Sequence, residues 1–231
     1  MLKLYDLAGA EPDRRFSPYC WRIKMALAHK GLAVETIPWR FTEKDVVAPS
    51  GTSGRVPVLV DGDRWIAESW DIAQHLEAAY SDRPSLFGGP AGSALTRFYQ
   101  SWTDGVLQLA LLRLVVLDIW RHAAPRDQDY FRQSREERLH MTLEAAVADR
   151  EARLPSFQQL LAPVRLTLRA QPFLGGERPL YADYVVFGAF QWARCISDFK
   201  LLAADDPVHA WRGRMLDLYG GLASSAKGYP V

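Results

Sequence analysis

The chain has 231 residues, 48% hydrophobic and 24% charged, which is ordinary globular usage and excludes a disordered or collagen-like chain. Twenty-eight Lys and Arg against 27 Asp and Glu leave +1 at pH 7, so the chain lacks the basic surplus of a nucleic-acid binder and no such partner is expected. Two cysteines, Cys20 and Cys195, are too few for a disulfide framework and fit a reducing cytoplasm.

The first fifteen residues contain no apolar export segment. The most apolar run, Leu107 to Trp120, is broken by Gln108, Arg113 and Asp118, and is too short and polar to span a hydrocarbon core of about 30 Å. It reads as a buried helix, and no membrane contact is expected.

Before residue 80, short strand-like runs alternate with helical patterns. Leu2 to Leu7 reads as a strand. Ser17-Pro18 then opens a helix, because Ser supplies a capping oxygen and Pro suits the first helical position. Cys20, Ile23 and Leu27 fall on one face, and Gly31 can take the left-handed stop. Val34 to Ile37 is a second strand, and a polar loop runs from Trp39 to Arg55. Val56 to Val60 is a third strand. Asp61-Gly62-Asp63 signals a hairpin returning through Arg64-Trp65-Ile66. Ser69 is read as the cap of a further helix that carries Ile72, Ala73, Leu76 and Tyr80 on one face. The order β-α-β-loop-β-β-α describes a parallel βαβ unit completed by a hairpin and a helix.

After a Gly- and Pro-rich linker at 81–90, the pattern is helical almost throughout, over roughly 93–121, 131–153, 156–170, 182–197 and 208–219. Pro125, Pro155, Pro172 and Gly175-Gly176 punctuate it. Asp127 and Asp129 beside Tyr130 read as a polar loop. The expected organisation is a small α/β domain over 1–82 and an all-helical domain over 91–231.

Three places could carry chemistry. Ser17-Pro18-Tyr19-Cys20 has the spacing of a thioredoxin-type C-x-x-C with oxygen in place of the first sulfur. A group there meets a helix N-terminus that favours anions. Serine cannot exchange disulfides, but its hydroxyl can donate to another molecule's thiolate. Taken alone, Ser17 is equally read as a plain N-cap, and Cys20 as an inert buried thiol. Val56-Pro57 could be a cis bond or an ordinary edge proline. Glu68-Ser69 could hold a zwitterion, or be a solvated acid beside a capping serine.

Together these blocks form a pattern. F-S-P-Y-C-W-R-I-K-M-A-L, R-V-P-V-L-V-D, E-S-W-D-I-A-Q-H-L and F-L-G-G…A-D-Y occur in the order and spacing of cytosolic glutathione transferases, and they span most of the chain. The chain resembles the serine-type members, and is similar to bacterial β-aryl etherases and related fungal transferases. The resemblance implies a thioredoxin-like N-terminal domain that binds glutathione as co-substrate, followed by an all-α domain that supplies the electrophile pocket. By the same resemblance, Ser17 hydrogen-bonds the glutathione sulfur and Val56 pairs its backbone with the cysteinyl part, before a cis Pro57. Glu68 and Ser69 hold the γ-glutamyl end, and Arg40 and Arg55 are candidates for the glycyl carboxylate. A homodimer is the family expectation. No metal is expected.

The chain departs from the family at Leu180, where a Ser or Thr usually precedes the helix bearing Asp183, so a reciprocal capping box is half missing. Tyr19, Tyr99 and Trp102 are candidates for an aromatic substrate pocket, with Phe98, Trp120 and Trp192 nearby in sequence or on a later helix; each also reads as core. His122, His140 and His209 read as surface or satisfied side chains. The leading function is transfer of glutathione to an aromatic electrophile, with β-aryl ether cleavage as a specific form and detoxification or aromatic-compound metabolism as the setting. The competing readings are a zeta-like glutathione-dependent isomerase or dehalogenase, and a non-catalytic binder of hydrophobic ligands.

Overall fold

The computed structural model describes residues 1–230. The sheet has four strands in the order β2-β1-β3-β4. β1 (Leu2–Leu7) pairs in parallel with β2 (Val34–Trp39) and antiparallel with β3 (Val58–Asp61), which turns back into β4 (Arg64–Ala67). Pro38 is tolerated in β2 because that strand is an edge. Between β1 and β2 runs α1 (Pro18–His29), and after β4 comes α2 (Ser69–Ala79). This is the β-α-β-β-α order read from the alternating pattern, and the thioredoxin-like arrangement that the resemblance implies.

The remainder is helical: α3 (Pro90–Trp102), α4 (Gln108–His122), α5 (Pro125–Leu139), α6 (Leu143–Val147), α7 (Arg150–Leu160), α8 (Ala162–Ala170), α9 (Tyr181–Ile196) and α10 (Pro207–Gly221). A π-helical turn, Thr103–Leu107, joins α3 to α4 without a break. α9 is the axis of the molecule. Nearly every one of its residues is buried, as an all-round apolar helix must be. It packs chiefly on α1, so one hydrophobic core runs from the sheet through α1 and α9 into the helical region.

The local differences from the sequence expectations have simple causes. Pro125 starts α5 rather than following a loop, so Asp127 and Asp129 are helical. Asp127 is fully buried and accepts hydrogen bonds from Phe41 N (3.2 Å), Thr42 N (3.2 Å) and Thr42 Oγ1 (2.6 Å). The break in the second helical stretch falls at His140, in the left-handed region at φ 54°. Pro155 lies inside α7 instead of ending a helix. The Trp39–Arg55 loop contains a 3₁₀ turn, Lys44–Ser50, and the third strand begins at Val58 rather than Val56. Ser69 does not cap α2: it is the first helical residue, and Glu68 occupies the capping position with no side-chain bond to the helix.

Asp183 holds the entry to α9 by itself. Its buried carboxylate accepts from Leu174 N (2.7 Å), Gly175 N (2.9 Å), Leu180 N (3.0 Å) and Trp211 Nε1 (2.9 Å). Leu180 has no side-chain acceptor, so the second half of a capping box is missing and the carboxylate serves several donors instead.

α1 and α9 approach each other closely at Gly188. A Cβ at this position would lie 2.4 Å from the Pro18 carbonyl oxygen and 3.3 Å from Cγ of Arg22. Gly188→Ala is therefore expected to push the helices apart at a cost of about 1–3 kcal/mol, the usual range for overpacking. Urea unfolding of the variant measures it; an unchanged midpoint would show that the helices separate freely.

Candidate functional site

α1 starts where the chain leaves the loop after β1. Ser17 is extended at φ −62°, ψ 125°, and its Oγ accepts from Cys20 N at 3.2 Å. A hydroxyl has one donor and two acceptor positions, so this cap leaves the Ser17 O–H available as a donor. Ser17 is 3% exposed and lines a cavity of about 630 Å³. Cys20 is fully buried, and burial pushes its thiol well above the ordinary value, so it is no nucleophile at neutral pH.

The cavity gathers most of the residues singled out in the sequence. Ser17, Tyr19, Arg55, Val56, Pro57, Glu68 and Ser69 all line it. Val56–Pro57 is cis. Val56 precedes β3, and its N–H and C=O have no backbone partner among the described residues. Glu68 adopts φ 66°, ψ 127°, a conformation rare for a side-chain-bearing residue, directly before the first turn of α2. Ser69 is buried, and its carbonyl accepts from Tyr181 Oη at 2.8 Å, which ties this corner to α9.

Three candidates lie elsewhere. Arg40, Tyr99 and Trp102 are not among the lining residues. Arg40 gives its N–H to Glu43 Oε2, and Trp102 packs half-buried against the core. Tyr99 is half-buried, and burial raises its hydroxyl above the ordinary value.

The helical region supplies a wall that the sequence reading largely missed. Asp104, Gln108, Leu112, Tyr130, Arg135 and Arg138 line the cavity, and Trp192 reaches it from α9. The π turn carries Asp104. Such turns occur often at functional positions, and this one was invisible because the apolar spacing runs on unbroken. Arg22, with no exposed surface, forms a two-pronged pair with the Asp104 carboxylate, which also accepts from Gln108 Nε2 at 2.9 Å. The Arg22 guanidinium lies 4.6 Å from the centre of the Tyr19 ring. Partial burial, then the Asp104 charge, raises the Tyr19 hydroxyl above its ordinary value, so it remains a protonated donor.

Among the described residues, no cluster of His, Cys, Asp and Glu is arranged to hold a metal ion, and no helix is long and apolar enough to cross a membrane.

The comparisons with known proteins place the chain in a family. The family model described as "Glutathione S-transferase, N-terminal domain" matches residues 12–84, and that described as "Glutathione S-transferase, C-terminal domain" matches residues 94–215. The chain belongs to the glutathione S-transferase family. It is 24% identical over 208 residues to glutathione S-transferase U28 of Arabidopsis thaliana, covering 87% of this chain and 81% of the relative. Glutathione S-transferase U2 of the same plant is 29% identical over 107 residues. That match covers 43% of this chain and 45% of the relative, so it spans about half of each. Among solved structures, a glutathione S-transferase of Ceriporiopsis subvermispora in complex with glutathione superposes with a TM-score of 0.79 at 22% identity, covering 94% and 96% of the two chains. Glutathione transferase GSTFuA3 of Phanerochaete chrysosporium gives 0.75 at 26% identity, covering 95% and 92%.

The Arg22–Asp104 pair braces the cavity wall at Asp104, and its removal is measurable. Asp104→Ala leaves the buried Arg22 guanidinium with no carboxylate and is expected to cost about 3 kcal/mol, the low end for a broken buried pair, because Asp104 is 30% exposed. Denaturant unfolding checks it, and a loss within error of zero would mean that water replaces the carboxylate.

Proposed function

We propose that the protein is a serine-type glutathione transferase that uses glutathione as co-substrate and acts on an aromatic electrophile. The observation that carries this reading is the Ser17 hydroxyl: it accepts from the Cys20 N–H, keeps its own proton to donate, and faces a cavity also lined by Val56, Glu68 and Ser69. Val56, with free main-chain groups beside cis Pro57, pairs with the cysteinyl unit of the tripeptide. Glu68 receives the γ-glutamyl ammonium, while Ser69 and the N-terminus of α2 receive its carboxylate. Arg55 is the cavity's cation for the glycyl carboxylate. Arg40, outside the lining, is a weaker candidate.

The thiol of glutathione is a weak acid with a pKa near 8.5, as for free cysteine. A hydrogen bond to a charged group contributes about 1.5–3 kcal/mol and a helix N-terminus about 0.3–1 kcal/mol, while one pKa unit is about 1.4 kcal/mol. These contacts are enough to make thiolate the main species at neutral pH. The thiol proton leaves to solvent. The thiolate's lone pair forms a carbon–sulfur bond as the electrophilic carbon's bond to its leaving group breaks, and the leaving group departs with the electron pair of the broken bond. With a β-aryl ether the leaving group is a phenolate, which solvent protonates. Tyr19, Tyr130 and Trp192 provide ring surface for such a substrate.

Ser17→Ala is expected to raise the pKa of bound glutathione by about one unit or more. Because the wild-type value lies at or below about 7, a rise of one unit lowers the thiolate fraction, and with it turnover, at pH 7 by roughly two- to fivefold. Ultraviolet titration of the bound thiol, with a pH–rate profile, checks both; an unmoved titration would remove Ser17 from the reaction.

A homodimer belongs to the same reading. Leu95 and Phe98 are each 68% exposed and lie one turn apart on α3, with Val106 40% exposed further along the same helical run. A second copy would cover this apolar stripe. Sedimentation is expected to show a dimer for the wild type and a monomer for Phe98→Glu; an unchanged sedimentation coefficient would place the interface elsewhere.

A further inference from the structure

The proposed reaction makes no use of two guanidinium groups in the cavity wall. Arg135 and Arg138 are one helical turn apart on α5, and both line the same cavity as Ser17. Other arginines of that helix are paired: Arg126 with Glu43, and Arg132 with Glu136 and Glu144. No carboxylate pairs with Arg135 or Arg138 among the described residues.

Arg135 is held rather than free. Its guanidinium carbon lies 4.7 Å from the centre of the Phe131 ring and 5.7 Å from that of Phe41, and its Nη1 donates to Ser134 Oγ at 2.9 Å. Burial, with the like charge of Arg138 adding to it, pulls its pKa below the ordinary value for arginine, although the group remains protonated. Arg135 is partly buried and Arg138 exposed; a partly desolvated cation with no protein anion is unfavourable, and a carboxylate or sulfonate supplied by a ligand offsets that cost. The planar fork of arginine suits a carboxylate held by two parallel hydrogen bonds. The partly exposed Phe41 lines the same cavity beside the fork, so the group attached to the anion has ring surface to pack on.

The geometry points to an anion subsite, formed by Arg135 and Arg138 in the electrophile half of the cavity, that selects aromatic electrophiles bearing a carboxylate or sulfonate. This deepens the proposed function and rests on it for the word electrophile, but the subsite itself can be tested without glutathione.

The probes are a nitrobenzoate and the matching nitrobenzamide, neither of which carries a leaving group. Their binding is read from quenching of tryptophan fluorescence, since Trp39 and Trp192 line the cavity. The wild-type protein is expected to bind the acid at least roughly tenfold more tightly than the amide, and added salt should reduce that preference. The Arg135→Gln/Arg138→Gln variant should lose the preference, while Arg135→Lys should keep part of it. Equal affinities in the wild type, or an undiminished preference in the double variant, overturns the subsite. Calorimetry with glutathione is run in parallel. If the double variant loses glutathione affinity while its acid preference stands, the two arginines hold the tripeptide and the subsite is again overturned. Failure of the wild type to bind glutathione would instead strike the proposed function and leave the acid–amide comparison intact.

Discussion

The absence of one side chain sets the geometry of the molecule. At Gly188 the central helix α9 meets the first turn of α1 so closely that a single carbon would collide with the Pro18 carbonyl. Glycine costs helix propensity, about 1 kcal/mol relative to alanine, and is retained here because it permits close backbone approach. Pro18 follows the hydroxyl on which the candidate chemistry turns, so the depth at which α9 seats against α1 also sets where Ser17 stands in the cavity.

Polar ties then lock the same interface from either side. One turn into α1, Arg22 reaches the π turn through the Asp104 carboxylate, and at the start of α2 the Ser69 carbonyl receives the Tyr181 hydroxyl from α9. Apolar packing alone would let two helices slide by small increments. A two-pronged charged pair does not, because a small displacement breaks hydrogen bonds on a fully buried cation. The cavity wall at Asp104 is therefore defined by directional contacts, while the core beneath it supplies most of the stability.

Much of this was legible from the chain itself. The β-α-β-loop-β-β-α order followed from short strands, a hairpin signal and Ser17-Pro18, because strand alternation and helix-start chemistry are local properties. The first-domain lining residues Ser17, Val56, Pro57, Glu68 and Ser69 were singled out only by the family resemblance of their blocks taken together; each block alone reads equally as a cap or an edge proline. The second wall was not. Asp104 depends on a π turn that leaves the apolar spacing intact. Arg135 and Arg138 belong to a helix whose strongly polar sequence gives no apolar stripe to orient it, and whose beginning reads as a loop. Tyr99 and Trp102 pack against the core outside the cavity lining, because an aromatic on a helix marks burial without saying against what. Gly188 left no signal, since its role depends on a neighbour some 170 positions earlier in the chain.

The buried Asp127 carboxylate has a consequence for how the cavity is held together. It fastens the segment after β2 at Phe41 and Thr42 to the first turn of α5, and the Phe41 ring in turn leans on Phe131 and Arg135 further along that helix. The segment that begins at this clasp runs on to Arg55 and Val56, so the part of the cavity lining that comes from the first domain and the part that comes from α5 are tied together at one buried carboxylate.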